Sequence, residues 1–262
     1  LGKNIRNRRP AKAMTWDRDI IVEGKIFQVT ISDDHEALRS AFAEGRAVVG
    51  LWDRERTDQN LAPAAYVVED LQDLDDVFLE RVIRRREGLP WNIANTQRLT
   101  IREFVPQDYV SIPDEPEAGK SGFLFSTKEI LKDYIGHQYG FYEYGIWAVV
   151  DHDKGKLVGK AGISNLEITG QEEFLRAIKK NDTPVELGYH IFSPYRQQGY
   201  GTEACKAILS YAALAVSEKI YARIDERNLA SIKLAEDLGF RFIARTHSGS
   251  VPRLCLYEWN CS

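Results

Sequence analysis

The residues with the clearest chemical purpose lie between Val185 and Thr202, in the run VELGYHIFSPYRQQGYGT. An apolar strand runs into Pro194. Then Arg196-Gln197-Gln198-Gly199-Tyr200-Gly201-Thr202 leads into a helix. Two glycines at a strand-to-helix turn let the backbone curl until successive N–H groups point into one concavity. The free N–H groups of the helix's first turn add to it, and such a turn holds phosphate oxygens with little help from side chains. Arg196 offers direct charge beside it. A glycine pair also serves as a plain tight turn. It is not a dinucleotide fingerprint, because the third glycine is missing, and not a P-loop, because no Lys-Ser/Thr follows the glycine.

Other chemistries are poorly served. Five histidines show no paired metal spacing, and Cys205, Cys255 and Cys261 form no C-x-x-C, so no metal is expected. Cys205 reads as a small buried residue. His190 reads as packing on one face of its strand. The segment Gly140–Trp147, GFYEYGIW, offers Tyr142 and Tyr144 either as lining of an acceptor pocket or as core and edge packing.

The elements around the turn alternate. From Thr96 the pattern runs strand RLTIREF, a polar loop, a helix from Thr127 to about Gln138, and strand IWAVV over 146–150. Strand LVGKAGISNLEI follows, then EEFLRAIKK as a helix or loop, then strand VELGYHIF. After the turn come a helix from about Gly201 to Ser217, strand YARID, helix NLASIKLAEDLG, and strands FRFIARTHS and RLCLYEWN. Asn228 suits the N-cap of the second of these helices.

Arg-x-x-Gly-x-Gly after E-L-G-Y, then Asn228-x-x-Ser231 and Leu238-Gly239-Phe240, resembles the GCN5-related N-acetyltransferase (GNAT) superfamily. The opening Thr96-Gln97-Arg98-Leu99-Thr100-Ile101-Arg102-Glu103 resembles its ribosomal-protein-alanine acetyltransferase branch. The resemblance covers residues 96–262. It implies an α/β fold with a mixed, mostly antiparallel sheet, flanked by helices and splayed beside the strand Val185–Phe192. It implies acetyl-CoA as donor, with its pantetheine arm along Ile191 and Phe192. Its pyrophosphate would sit on the N–H groups from Gln197 through Gln198, Gly199, Tyr200 and Gly201 to Thr202, and Asn228 would touch the arm. A backbone N–H near Ile191 would polarise the thioester carbonyl. Glu186 is the expected general base, with Glu167 the weaker choice beside the acceptor. Many relatives place a tyrosine where this chain has Ala235, so the general acid is open. Ser231 is the candidate, and a thiolate also leaves tolerably without one. The acceptor is expected to be a primary amine, on a small molecule or a protein N-terminus. The competing expectation is a non-catalytic acyl-CoA-binding module with a signalling N-terminal domain.

The first part of the chain reads separately. Residues 15–95 form a small βαβ-type unit: strand Ile26–Ile31, helix HEALRSAFAEG, strand Ala47–Leu51, strand Tyr66–Val68 and helix Leu74–Arg86. The strand–helix–strand order predicts parallel pairing. Asp33 and Asp34 read as helix caps. The run faintly resembles part of a haloacid-dehalogenase-like domain, without that family's nucleophile motif. It is expected to shape the acceptor site or to join two protomers as a homodimer.

Composition sets the outer bounds. The chain has 262 residues and a net charge of −4, and 44% of its residues are hydrophobic, which excludes a disordered chain. Residues 1–14 carry Lys3, Arg6, Arg8, Arg9 and Lys12 and no acid, so they read as a basic arm or a remnant on an acidic body. That balance argues against nucleic acid as a partner. No stretch approaches the roughly 18 apolar residues of a membrane span. Three cysteines are too few for a disulfide framework, which points to the cytoplasm.

Overall fold

The computed structural model describes residues 13–115, 125–178, 183–247 and 252–261. All but Ala13 and Met14 of the basic arm lies outside them. The chain divides into two units, Leu1–Leu89 and Pro90–Ser262.

In the first unit, β1 (Thr15–Val22) pairs antiparallel with β2 (Lys25–Ser32). Glu23 and Gly24, both at positive φ, make the two-residue turn that such a hairpin favours. β1 is faint in the sequence, because TWDRDIIV is exposed along most of its length and carries no apolar alternation. Helix α1 (His35–Ala43) leads to β3 (Ala47–Leu51), parallel to β2, and β4 (Tyr66–Val68) lies parallel to β3. Helix α2 (Asp76–Arg86) closes the unit. Leu38 and Ala41 of α1 bury against Val48 on one sheet face. Leu79, Val82 and Ile83 of α2 bury against Val29, Ile31 and Val49 on the other. Asp34 is the cap, accepting the Ala37 N–H at 2.8 Å. Asp33 is not a cap. It is buried, accepts the Met14 N–H at 2.7 Å and faces Arg56 at 3.4 Å.

The second unit is built on an eight-stranded sheet, ordered β11-β12-β10-β9-β8-β7-β6-β5. In chain order its strands are β5 (Asn92–Asn95), β6 (Leu99–Arg102), β7 (Ile146–Asp151), β8 (Lys156–Asn165), β9 (Val185–Ile191), β10 (Lys219–Asp225), β11 (Arg241–Arg245) and β12 (Leu254–Asn260). A cut at residue 95 would detach β5, which pairs with β6, so the break belongs at Leu89/Pro90. Every neighbouring pair is antiparallel except β9 and β10. Parallel strands need a crossover, and here it is the helix α5 (Tyr200–Ala215), preceded in the chain by α3 (Lys128–Tyr134) and α4 (Glu172–Ala177). Ala204, Cys205, Ile208, Leu209 and Ala212 of α5 bury against Trp147, Val149, Ala161, Ile163 and Leu187. Helix α6 (Leu229–Asp237) follows β10, and its Ala235 joins the same core. On the opposite face, Phe104, Phe125, Leu131, Ile146, Ala148 and Phe192 form a second cluster.

The helix expected to reach Gln138 changes pitch after Tyr134. It runs on as a wide π turn over Ile135–Tyr139 and a last helical turn, Gly140–Tyr142. The wide turn seats Tyr139 in the core. Its hydroxyl donates to the Ile146 carbonyl at 2.6 Å and accepts the Phe104 N–H at 3.2 Å. Tyr139→Phe strands two buried backbone groups. It is expected to destabilise the protein by about 2 kcal/mol in urea unfolding, within the usual cost of an unsatisfied buried partner. A change below about 0.5 kcal/mol would show that the two groups find other partners.

Candidate active site

The site begins where two strands part. β9 and β10 share only two register pairs, Ile220 with Val185 and Tyr221 with Glu186. β9 and β8 share seven, from Val185 to Ile191. The Phe192 N–H donates to the Val158 carbonyl at 3.0 Å, which fixes the alternation of that antiparallel ladder. Even-numbered residues of β9 bond to β8, and the backbone groups of odd-numbered ones face β10. Beyond Glu186, β10 has moved away. The N–H groups of Tyr189 and Ile191 therefore line a crevice that has no strand in it.

Phe192 does not line that crevice. Its N–H is taken by Val158, its carbonyl accepts from Tyr195 at 2.8 Å, and its side chain is buried on the opposite face. The expected pairing edge is thus confined to Tyr189 and Ile191.

The turn expected to bind phosphate stands at the end of the crevice. Gln197 at φ 59° and Gly199 at φ 80° take left-handed conformations, and Gly199 is the N-cap of α5 with no side chain to cap it. Among the described residues, the N–H groups of Gly199, Tyr200, Gly201 and Thr202 have no protein acceptor. Four adjacent unpaired donors at the positive end of a 16-residue helix suit an anion.

Its cation differs from the expected one. The Arg196 guanidinium turns back onto the Ile191 carbonyl at 2.9 Å and onto Glu115 at 3.2 Å. Glu115 also accepts from the Ser193 N–H and meets the His190 ring at 3.0 Å. Burial opposes ionisation of Glu115, but these donors outweigh it and hold its carboxyl below the ordinary range.

The positive group beside the turn is Arg98. It donates to the Gln198 carbonyl at 2.9 Å, and a Cβ on Gly199 would lie 3.3 Å from its Nη2. Glu203, in the first turn of α5, holds it in place. That carboxylate accepts the Thr96 hydroxyl, the Arg98 N–H and the Arg98 Nε at 2.6–2.9 Å. Burial opposes its charge, but these donors prevail and lower its pKa. Tyr200 is a second anchor. Its ring is buried under Arg98, and its hydroxyl donates to Asp151 at 2.6 Å, where Lys154 also binds. The hydrogen bond from Lys154 and then that from Tyr200 hold the Asp151 carboxyl well below the usual range. Only the backbone of Tyr200 serves the turn.

The far wall belongs to α6. Asn228 Oδ1 accepts the Ser231 N–H at 3.1 Å, which is the cap expected of it. Among the described residues its amide nitrogen has no acceptor. The Ser231 hydroxyl accepts from Tyr189 at 2.9 Å. At the end where β9 and β10 still pair, Glu186 meets Arg223 at 2.9 Å, and its side chain is 17% exposed. The same arginine donates to the Glu167 backbone carbonyl at 2.9 Å, and Glu167 itself is exposed beyond the end of β8. The Tyr144 hydroxyl donates to Asn165 at 2.7 Å, on the residue paired with Val185. Tyr142 lies beside Tyr144 with ring centroids 5.8 Å apart. Cys205 is no nucleophile, since burial pushes its thiol up to about 12.

Comparison with known proteins gives the family. Residues 98–241 match the family model described as an acetyltransferase (GNAT) domain, and the chain belongs to that family. It is an acetyltransferase with acetyl-CoA as its donor. It is 27% identical over 164 residues to the uncharacterized protein YkkB of Bacillus subtilis, covering 55% of this chain and 87% of that one. A solved GnaT-family protein from Bordetella pertussis aligns at TM-score 0.52 and 20% identity, over 63% of this chain and 97% of that one. A ribosomal-protein-S5-alanine acetyltransferase of Vibrio fischeri aligns at TM-score 0.48 and 19% identity, over 66% and 96%. No helix among the described residues is long and apolar enough to cross a membrane.

The motif residues at the turn were legible in the sequence. Arg98 stood in the opening segment, but nothing there signalled its partner Glu203, which is 105 residues away. Two outcomes test this geometry. Gly199→Val forces a branched side chain into a positive φ and against Arg98, so calorimetry should find CoA binding abolished. Arg98→Ala should weaken CoA on the order of 10-fold, about 1.4 kcal/mol, with the fold intact. Retained affinity in either variant contradicts this placement. A pH effect follows from Glu203. Its lowered pKa contributes stability that is present above the unfolded value of about 4.3 and lost as pH falls through the folded value. Glu203→Gln should therefore flatten the acid limb of the unfolding midpoint against pH.

Proposed function

We propose that the chain transfers acetyl directly from acetyl-CoA to a primary amine, carried by a small molecule or a protein N-terminus. The observation that carries this reading is the crevice between β9 and β10, with unpaired N–H donors along its wall and at its end. The cofactor's pyrophosphate rests on the N–H groups of Gly199 to Thr202, with Arg98 beside it. Its pantetheine arm pairs with the open edge at Tyr189 and Ile191 and passes Asn228. The Ile191 N–H meets the thioester oxygen and stabilises the negative charge that grows there as the amine adds.

The amine reaches the thioester from the end where the strands pair. Tyr142, Tyr144 and Glu167 border that end. The amine must lose a proton before its lone pair attacks, and Glu186 takes it, directly or through one water. Arg223 pairs with that carboxylate at 2.9 Å and fixes its direction. Ser231 faces the departing sulfur.

Glu186→Gln is expected to lower kcat by roughly 100-fold near neutral pH, the scale of general-base catalysis, with CoA affinity intact. The defect should shrink as pH approaches the pKa of the amine, where the free base needs no help. An unchanged pH–rate profile removes Glu186 as the base. Tight CoA binding with no acetylation across a panel of amines makes the chain an acyl-CoA-binding module instead.

A further inference from the structure

The acetyl-transfer reading gives the departing thiolate only the Ser231 hydroxyl, because Ala235 stands where many relatives of this family place a tyrosine. Another tyrosine is close by. Tyr189 lies on the open edge of β9 and reaches across to α6, where its hydroxyl donates to Ser231 Oγ at 2.9 Å. Its ring and Ile191 both come within 3.6 Å of where a Gly201 Cβ would stand, with Leu234 of α6 at 3.8 Å. The Tyr189–Ser231 bond thus bridges the two walls of the crevice, over the start of α5.

The proton count at this bond is informative. A serine hydroxyl has one proton and two lone pairs. One lone pair is occupied by Tyr189. The Ser231 N–H is occupied by Asn228. Among the described residues, the proton of the Ser231 hydroxyl has no acceptor. Burial raises the Tyr189 pKa, so the tyrosine stays a donor throughout the working pH range. With Tyr189 always donating, the Ser231 proton must point elsewhere.

We propose that Tyr189 is a positioning residue that turns the Ser231 hydroxyl proton toward the sulfur of the leaving CoA. The inference rests on the acetyl-transfer reading. As the tetrahedral adduct collapses, the C–S bond breaks and its electron pair stays on sulfur. The acetyl group remains on nitrogen, whose proton has gone to the base. Ser231 donates a hydrogen bond to the thiolate and keeps its proton, and the thiolate takes one from solvent after release. Tyrosinate is never formed.

The test compares Tyr189→Phe, Ser231→Ala, the double variant and Ser231→Thr in the full chain. It uses acetyl-CoA with an amine that the wild type accepts, and separately CoA alone. Tyr189→Phe should lower kcat about 10-fold, the scale of one lost hydrogen bond to a charged group, without raising KM for acetyl-CoA. Added to Ser231→Ala, it should lower kcat no further. Ser231→Thr keeps a hydroxyl and should restore most of the rate. The thiol pKa of bound CoA, read from thiolate absorbance, should rise in Tyr189→Phe and in Ser231→Ala. Additive losses in the double variant, or the same bound-thiol pKa in wild type and Tyr189→Phe, overturn the proposal. If the wild type binds CoA but acetylates nothing, the transfer reading fails while the thiol titration still judges the pair. If CoA is not bound at all, both fall.

Discussion

Everything at this site depends on β9 and β10 pairing twice and then parting. Parallel strands joined through α5 would otherwise continue side by side and satisfy one another's backbone groups. Here β8 satisfies one edge of β9 along its whole length, while β10 leaves the other edge after Glu186. Unpaired backbone groups in a sheet interior are costly unless something else bonds them. A ligand with amide groups along an extended arm can supply that bonding, as proposed for acetyl-CoA. The parting thus converts a structural debt into an address.

The anion turn has the same logic on a smaller scale. Four N–H groups converge without a side-chain cap, and convergent donors repel one another when no anion is present. The turn keeps its shape because it is fastened from outside. Arg98 binds the Gln198 carbonyl and Glu203, Thr96 binds Glu203, and the Tyr200 hydroxyl is locked to Asp151 and Lys154. These anchors come from the β5–β6 turn and the end of β7. The core of α5 against β7 and β8 therefore sets the geometry of the site as much as the glycines do.

The sequence revealed the parts that are local and concealed the parts that the sheet assembles. Arg196-x-x-Gly199-x-Gly201, Asn228 as a cap and most strands of the second unit follow from short-range rules, and the structure has them. Arg196 shows the limit of such reading. Its position beside the glycines suggested a phosphate ligand, but its guanidinium is held by Ile191 and Glu115, a residue 81 positions earlier. Phe192 likewise sits next to the open edge, yet alternation turns it to the other side. Tyr189 and Ser231 meet across 42 residues, and Arg98 and Glu203 across 105, so no spacing rule links them. The strand Thr15–Val22 was hidden because an exposed strand with charged residues has no apolar period to read.

The most direct test of the central claim is amide hydrogen exchange, read by NMR residue by residue, with and without CoA. Exchange should slow at Tyr189 and Ile191 and at Gly199 to Thr202 when CoA is bound, with no change at Phe192, whose N–H is already bonded to Val158. Protection that appears elsewhere, with Ile191 and the Gly199–Thr202 amides unchanged, would contradict that claim.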